Sequence, residues 1–436
     1  MMRRSAFTLT ALAALSSALG CSADAPGSSG APSAQGGADV SGAAGAAAGS
    51  AQVTGNAGVT SLGGAAAGGG DGSTGGTPPG GGPSAGGAGA GGGAAVESTL
   101  KGCALQFPYQ DEPELGTWLG GDSAYSTLLS PSVALWSFQD TFIGQHGQAT
   151  RQGAGIIANS SALVTCDQGK GSIKYFWRGA GDHAILSDGA PNQRFWPQQP
   201  ILYKGFLFQA MTRVQGAASE IGTTLARVSN PLDPPNTWQA EYFELTDVAG
   251  LGKGTIVIDN FAYLFTTSAG QAIVARLPLD ELIKPNAAPS ALMQYLANDG
   301  QWKPGLDAAA AKKLGFAANV GTSFRYLASI SQWLVLFTNT AGWPSPNIAV
   351  STAPGLEGPW TKPINVYQVP EMTPGAPEYD KDNVCYAAIE HSESNPDLET
   401  DLLFSYTCNS FVASKQVANL GIYLPKIVKL KNPVVN

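Results

Sequence analysis

Two aspartates, Asp122 and Asp140, lie at equal distances in the sequence on either side of Pro131, which sits in a Ser-Pro-Ser turn. If the flanking segments pair as a regular hairpin, the aspartates share one rung, with Cβ atoms about 4.5–5.5 Å apart on the same side. Two carboxylates this close repel one another, so the pKa of one should rise. An acid beside a nucleophile or base is what glycosidic bond cleavage requires. Alternatively, each aspartate caps a turn or accepts backbone N–H groups.

Five further residues fall at the same end of other predicted hairpins when positions are counted outward from each turn: Trp196, Arg213, Asn339, Asp382 and Asn409. We expect them to bind a substrate. Trp196 is suited to stacking on a sugar ring, and Arg213 to binding hydroxyls or lowering the pKa of a carboxyl group. Core packing or a structural ion pair would explain Arg213 equally well.

The same counting assigns other polar residues to the opposite end. Asp259 falls in a turn there, and Glu390 and His391 lie near it, so we do not expect them to be catalytic. Residues 98–436 contain no GxSxG elbow and no phosphate-binding loop, and the three histidines show no metal-ligand spacing. We therefore expect neither a metal nor a cofactor.

The segments that carry these residues follow a repeated strand pattern. Short apolar runs are broken by Gly, Pro, Asn and Asp, and five second strands end near Phe at similar intervals: 133–138, 206–208, 261–265, 333–337 and 402–404. A third strand repeats more weakly, at 225–228, 274–277 and 348–350. Repeats of this length predict an all-β five-bladed β-propeller. A pair of β-sandwiches would not explain five similar periods, and a β-helix needs shorter ones.

The N-terminal segment has the features of an export signal. Arg3 and Arg4 precede an apolar run at 6–19, and small residues follow. The segment Ala18–Cys21 resembles the lipobox of bacterial lipoproteins, although that motif prefers Leu where Ala18 stands. The resemblance implies a signal peptide at 1–20 and a lipid anchor on Cys21. Because Ser22 is not a retention-type Asp, we expect the outer membrane. An ordinary secretory signal with an incidental cysteine is the alternative.

The next segment, 21–97, is rich in Gly, Ala and Ser, and no aromatic residue occurs between Phe7 and Phe107. It lacks the apolar area needed to offset the entropy of ordering, so we expect a flexible tether with a span on the order of 50 Å. Residues 98–436 should form the folded domain, as a monomer. The net charge of −8, without a basic cluster, argues against a nucleic-acid partner.

The remaining cysteines are even in number once Cys21 is assigned to the anchor, which in an exported protein indicates two disulfides. Cys385 and Cys408 are symmetric about the turn of the fifth hairpin, so they should face one another across adjacent strands. This leaves the pair Cys103–Cys166.

Several segments resemble the endo-D-arabinanase-like propeller glycosidases, a family first catalogued as a domain of unknown function. They are Gly121–Ser126, Leu135–Phe142, Phe195–Pro197, Gly358–Trp360 and Ser405–Asn409. The resemblance implies a five-bladed propeller that cleaves furanoside linkages, such as those of mycobacterial D-arabinan, with Asp122 and Asp140 as the catalytic pair. Gln139 departs from the Gly that the family often has before the second aspartate.

Together these features predict a surface lipoprotein of the cell envelope that hydrolyses a furanose-containing polysaccharide. The closeness expected for the two aspartates favours retention of configuration, while the pattern leaves open which of them is the acid. A carbohydrate-binding or adhesion propeller without catalysis is the main alternative, and a structural envelope lipoprotein is a third.

Overall fold

The computed structural model describes residues 98–178, 184–190, 192–216, 219–317, 320–340 and 344–435. The expected signal peptide, Cys21 and the tether lie outside the described residues. Within those ranges, no helix combines the length and the apolar composition needed to cross a membrane.

Antiparallel β-strands dominate the described residues and form six sheets. The first sheet contains β3 (Tyr125–Ser130), β4 (Val133–Phe138), β7 (Ser160–Asp167) and β8 (Lys170–Phe176). The second sheet is small and contains, in spatial order, β1 (Gln110–Glu112), β2 (Gly116–Gly121), β5 (Thr141–Gly144) and β6 (Gly155–Ile157).

In the other four sheets, the strands lie side by side in chain order. The third contains β9 (Gln193–Tyr203), β10 (Phe206–Gln215), β11 (Ser219–Val228) and β12 (Ala240–Thr246). The fourth contains β13 (Gly254–Ile258), β14 (Phe261–Ser268), β15 (Gln271–Pro278), β16 (Gln294–Leu296) and β17 (Trp302–Pro304). The fifth contains β18 (Thr322–Leu327), β19 (Gln332–Thr338), β20 (Asn347–Ala353) and β21 (Ile364–Gln368). The sixth contains β22 (Asn383–Glu390), β23 (Asp401–Ser410) and β24 (Lys426–Lys431).

Helices are few and short, which confirms the expected all-β class. They are α1 (Leu279–Leu282), α2 (Pro289–Leu292), α3 (Ala413–Ala418) and the 3₁₀ turns Pro235–Thr237 and Pro370–Met372. The five predicted second strands lie within β4, β10, β14, β19 and β23, and the three weaker repeats lie within β11, β15 and β20. Lys204 and Asp259, each in the turn after a first strand, have positive φ angles of 45° and 55°. Asp is among the residues that tolerate this region best.

The first strands of five sheets contact one another in chain order: β3 with β9, β9 with β13, β13 with β18, and β18 with β22. Tyr125 of β3 is fully buried among them. Its hydroxyl donates to Oε1 of Gln198 (2.8 Å) and accepts from the N–H of Gly321 (3.1 Å), and its ring packs with Tyr386 of β22. One side chain of the first sheet therefore contacts residues of, or next to, the third, fifth and sixth sheets.

Apolar cores fill the spaces between neighbouring sheets. Leu135 of the first sheet packs with Leu207 of the third, and Phe208 of the third with Leu264 of the fourth. The inner strands are buried along nearly their whole length, for example β4, β10 and β23, as expected for strands that are covered on both faces. Both predicted disulfides are present, Cys103–Cys166 and Cys385–Cys408, and the second joins residues directly opposite one another on β22 and β23.

The second sheet is the main feature that the repeat pattern did not predict. Its strand β2 ends directly before Asp122, and β5 begins directly after Asp140. Gly121 pairs with Thr141, so the hairpin of β3 and β4 continues past the aspartates as β2 and β5. The aspartates therefore lie at the junction of two sheets rather than at the end of one hairpin.

Candidate active site

Asp122 and Asp140 lie side by side at this junction. The pairing of β3 with β4 is centred on Pro131, with Tyr125 opposite Ser137. The N–H of Asp122 donates to the carbonyl of Asp140 (3.3 Å), and the N–H of Gln139 donates to the carbonyl of Asp122 (3.0 Å). Both aspartates are buried, each with 7% of its surface exposed. The hairpin thus places two acidic side chains together in a site of low dielectric constant.

The backbone before Asp122 bends in a way that requires glycine. Gly120 has a φ of 123°, and a Cβ there would lie 2.4 Å from the carbonyl oxygen of Tyr423. A larger residue would therefore be strained and would also clash with backbone. Ser123, on the other side of the aspartate, also has a positive φ of 52°. The ladder is distorted on both sides of Asp122, which separates this residue from the regular strands.

Asp122 is held by a neutral donor. The Tyr386 hydroxyl donates to Oδ2 of Asp122 (2.6 Å), while Oδ1 is buried and has no hydrogen-bond partner from another residue. Asn409 hydrogen-bonds Tyr386 in turn. Burial, followed by the neighbouring Asp140 carboxylate, raises the pKa of Asp122 to about 8, although the Tyr386 bond opposes this rise. Asp122 is therefore protonated at neutral pH.

Asp140 has a different environment. Burial raises its pKa, and the positive charge of Arg194 and a hydrogen bond from Trp196 lower it. The indole Nε1 of Trp196 donates to Oδ1 of Asp140 (2.8 Å), and the Arg194 guanidinium lies 5.8 Å from the centre of the Trp196 ring. A cation and an N–H donor stabilise the ionised form of Asp140, whereas Asp122 has no cation among the groups that shift its pKa. The two carboxyl groups thus have different environments, a neutral phenol beside Asp122 and a cation with an indole N–H beside Asp140.

Tyr423 forms a further part of the site that sequence patterns do not mark. It is buried, its ring packs edge-on against Phe142 with centres 4.9 Å apart, and it lies beyond β23 in the last part of the chain. After burial, the charges of Asp122 and Asp140 are the main causes that raise the pKa of Tyr423. The Tyr423 phenol therefore lies within electrostatic range of the two carboxyl groups.

Of the five predicted substrate-binding residues, the structure brings two to the aspartates. Trp196 contacts Asp140 directly and is half-buried, and Asn409 reaches the pair through Tyr386. Tyr386 and Arg194 were missed. The only sequence signal for Arg194 is its position two residues before Trp196.

Arg213 was placed wrongly by regular counting. An extra residue in β9, between Pro200 and Pro197, shifts its pairing with β10 by one residue, so Trp196 faces Thr212 and Arg213 faces Phe195. Trp196 and Arg213 therefore project from opposite faces of the sheet. Arg213 instead forms ion pairs with two exposed carboxylates, those of Glu244 and Asp247.

Asn339 and Asp382 also have contacts away from the pair. Asn339 donates to Asn365 (2.9 Å) on β21, the outermost strand of its sheet. Asp382 accepts from Lys381 (2.9 Å) and Lys415 (2.8 Å). These contacts assign both residues to the support of strand ends rather than to the site around Asp122.

Glu390 and His391 lie in a buried polar cluster at the C-terminal end of β22. Glu390 pairs with Arg325 (3.0 Å), and His391 lies 2.7 Å from the Ser126 hydroxyl. Burial lowers the pKa of His391 to about 3 and raises that of Glu393, which also bonds Ser126, to about 7. These side chains form ion pairs and hydrogen bonds with buried neighbours inside the fold.

Among the described residues, one group has ligand atoms close enough for a metal: Glu371, Cys385 and Cys408. Both cysteines form a disulfide and cannot supply the thiolates that a metal would need. We assign no metal to this group.

The chain aligns with several solved structures. A Bacteroides ovatus protein, provisionally described as a hydrolase, aligns with a TM-score of 0.55 at 18% identity, covering 72% of this chain and 86% of that one. This similarity shows a shared fold. A GH43_1 enzyme from Xanthomonas citri aligns at 0.42 and 10% identity, covering 73% of this chain and 89% of that one. An exo-beta-1,3-galactanase from Phanerochaete chrysosporium aligns at 0.41 and 10%, covering 80% and 63%.

No curated protein matches the chain significantly. A family model described as a domain of unknown function, DUF5005, matches residues 113–432 and so includes Asp122, Asp140 and every described strand except β1. The match covers most of the chain, and the chain therefore belongs to the DUF5005 family.

Proposed function

We propose that this protein is a glycoside hydrolase that cleaves furanoside linkages of an arabinan-like polysaccharide. Asp122 acts as general acid and base, and Asp140 as nucleophile. The observation that carries the proposal is the division of one buried carboxyl pair into two environments: a neutral phenol beside Asp122, and a cation with an indole N–H beside Asp140. Carboxyl groups whose environments separate their pKa values are suited to acid and nucleophile roles.

The proposed reaction starts with Asp122 protonated and Asp140 ionised. Asp140 attacks the anomeric carbon while Asp122 gives its proton to the oxygen of the leaving sugar, and the glycosidic bond breaks. Asp122, now ionised, takes a proton from water as that water attacks the glycosyl–Asp140 ester. The water's hydroxyl joins the anomeric carbon, and Asp140 leaves as a carboxylate. The pair returns to its starting charge, with one water consumed per bond.

The close approach of the two aspartates supports a retaining mechanism. The backbone N–H of Asp122 donates to the carbonyl of Asp140, so the two residues lie beside one another. Retaining enzymes hold their carboxyl groups about 5–5.5 Å apart, whereas inverting enzymes need about 6.5–9.5 Å to admit a water. Proton NMR of the first product anomer tests this part of the proposal, and an inverted anomer would remove Asp140 as nucleophile.

The furanose specificity rests on the sequence segments around both aspartates, which resemble the endo-D-arabinanase-like glycosidases. We further propose that the first and the third to sixth sheets are the five blades of a propeller. The chain-order contacts of their first strands and the central position of Tyr125 support this arrangement.

We also propose that Cys21 is lipidated and that the segment 21–97 holds the enzyme on the cell envelope, at the outer membrane. The export signal and the lipobox-like Ala18–Cys21 support this location. Labelling cells with a fatty-acid analogue should mark the wild-type protein and not Cys21→Ser. Equal labelling of both would refute the anchor.

The central test is a reducing-end assay on a panel of furanose polysaccharides. The wild-type protein should release sugar from at least one of them, and Asp122→Asn and Asp140→Asn should each lower the rate at least ~10³-fold, as expected when a reacting group is lost. Asp280→Asn, an exposed aspartate paired with Lys204, is the matched control. Full activity in either site variant would refute its role. Binding of a polysaccharide without any release would favour a non-catalytic binding protein.

A further inference from the structure

A groove of about 540 Å³ lies between the loop that joins β5 to β6 and the helix α3. One wall is the loop between β5 and β6, which contributes Thr150 and Gln152. The other wall is α3 and the residues after it, which contribute Ser414, Val417 and Ala418. The volume is in the range of small-molecule sites, about 300–1,000 Å³, and is large enough for sugar rings.

Arg151 fixes both walls of this groove. It lies between the two lining residues of the first wall, and its buried guanidinium donates to the carbonyls of Gln416 (2.9 Å) and Asn419 (3.3 Å) in the second. The amide of Gln148 donates to the carbonyls of Thr150 (2.7 Å) and Gln152 (3.0 Å). The groove is therefore built from a fixed backbone, which lowers the ordering cost of binding.

The groove is next to the carboxyl pair. The Arg151 guanidinium donates to the carbonyl of Ile422 (2.6 Å) and lies 5.7 Å from the ring centre of Tyr423. Arg151 and the carbonyl of Tyr423 both lie against Gly120, two residues before Asp122: a Cβ at Gly120 would be 2.8 Å from the guanidinium and 2.4 Å from the carbonyl oxygen. One arginine and one tyrosine thus separate the groove from the strand that carries Asp122.

The lining chemistry suits a neutral sugar chain. Thr150, Gln152 and Ser414 offer hydroxyl and amide groups, and the other lining residues are aliphatic. No charged side chain lines the groove, and the nearby Lys415 is bonded to Asp380 and Asp382. Hydroxyl-bonding groups beside apolar surface match the two faces of a sugar ring, whereas an anionic polymer would find no free cation here.

We propose that this groove binds neutral sugar units of the same polysaccharide, several residues along the chain from the cleaved bond. The choice of polysaccharide rests on the proposed function, whereas the binding itself does not require catalysis. Such a site would give the protein a preference for long chains over short ones.

The test places a bulky side chain in the groove from each of its two walls in turn. Ala418→Trp and Thr150→Trp are changes at exposed positions, so the fold should tolerate them, and Ala309→Trp is the matched control on an exposed loop between β17 and β18. The full-length proteins are run in native gels containing arabinan. The wild-type and Ala309→Trp proteins should be retarded, and both groove variants should bind about 10-fold more weakly, a loss of ~1.4 kcal/mol. Gels with polygalacturonate, an anionic polymer, should retard none of them.

A second readout separates this inference from the proposed function. Hydrolysis of an aryl arabinofuranoside, which carries a single sugar, should be unchanged in Ala418→Trp and lost in Asp122→Asn, while Asp122→Asn should still be retarded by arabinan. Equal retardation of wild-type and both groove variants would refute sugar binding in the groove. No retardation of the wild-type protein would also refute it. Weaker binding by the groove variants, with no hydrolysis by the wild-type protein, would support the groove and refute the catalytic function.

Discussion

The hydroxyl of Tyr386 donates a 2.6 Å hydrogen bond to Oδ2 of Asp122, across 264 residues of sequence. Tyr386 lies in β22 immediately before an irregular stretch, in which Ala387 has a φ of 58° and the pairing with β23 shifts before Ile389. The bond orients the carboxyl group that we assign as the acid and leaves its second oxygen without a partner from another residue.

Removing this donor should change both the rate and its pH dependence. In Tyr386→Phe we expect kcat/KM to fall about 2- to 10-fold, the range for losing a hydrogen bond between neutral groups of about 0.5–1.5 kcal/mol. The bond lowers the pKa of Asp122 by favouring its ionised form, so the alkaline limb of the pH–rate profile should move to higher pH.

Tyr263→Phe, at a half-buried tyrosine of β14, is the control for loss of a phenol elsewhere. It should leave the profile of kcat/KM against pH unchanged. If Tyr386→Phe lowered the rate equally at every pH without moving either limb, the phenol would not act through the ionisation of Asp122.

Trp196 should influence the acidic limb of the profile of kcat/KM against pH. In Trp196→Phe the N–H donor to Asp140 is lost, while an aromatic face for Arg194 is kept. The pKa of Asp140 should therefore rise, and kcat/KM should fall more at pH 5 than at pH 7.

Trp302→Phe provides the control, because Trp302 also lies beneath an arginine, Arg276, at 4.2 Å, but belongs to the fourth sheet. Its profile should match the wild type. An acidic limb that stays in place in Trp196→Phe would mean that the indole only fills space beside Asp140.

The parts of the site that the sequence predicts are those that a single turn controls. The turn at Pro131 sets the pairing of its two strands, so residues at equal distances from it meet, as Asp122 and Asp140 do. Counting fails where a bulge intervenes, as in β9 between Pro200 and Pro197, which puts Trp196 and Arg213 on opposite faces of the sheet.

Residues supplied by other sheets carry no such signal. Tyr386 and Tyr423 reach the aspartates through the packing of distant strands, and their spacing in the sequence does not reflect that contact. The continuation of the hairpin into β2 and β5 was also missed, because strands of six and four residues with distorted pairing produce little periodicity.

Burying the acid should reduce stability at alkaline pH. The pKa of Asp122 is about 8 in the folded protein, against 3.8 for an unperturbed aspartate. The folded state therefore keeps a proton that the unfolded chain has lost, and this contribution to stability is full below pH 4 and disappears as pH rises through 8. Asp122→Asn cannot ionise, so it should melt a few degrees higher than wild type at pH 8, where about 1 kcal/mol corresponds to ~2–4 °C.

The same comparison at pH 4 should show little difference between Asp122→Asn and wild type, since both then carry a neutral side chain. Differential scanning calorimetry at pH 4, 6 and 8 measures the trend. Asp280→Asn is the control, because the pKa of that exposed carboxyl group is lowered by Lys204, and its variant should not gain stability with rising pH. A gain for Asp122→Asn that did not depend on pH would contradict the assigned protonation state.

The disulfide Cys103–Cys166 should contribute stability without affecting catalysis. It joins the segment before β1 to β7 and closes a loop of 63 residues, for which the chain-entropy relation gives about 4 kcal/mol. The double variant Cys103→Ser/Cys166→Ser should therefore unfold at lower urea concentration, with a steeper denaturant slope because the unfolded chain loses a cross-link. It should keep the wild-type kcat/KM at 25 °C because neither cysteine contacts the carboxyl pair. Removing Cys385 and Cys408 gives the contrast. That pair lies one residue from Tyr386, so its loss should lower both the stability and the rate. Equal loss of kcat/KM in the two double variants would mean that the effect arises from general loosening of the fold rather than from the position of Tyr386.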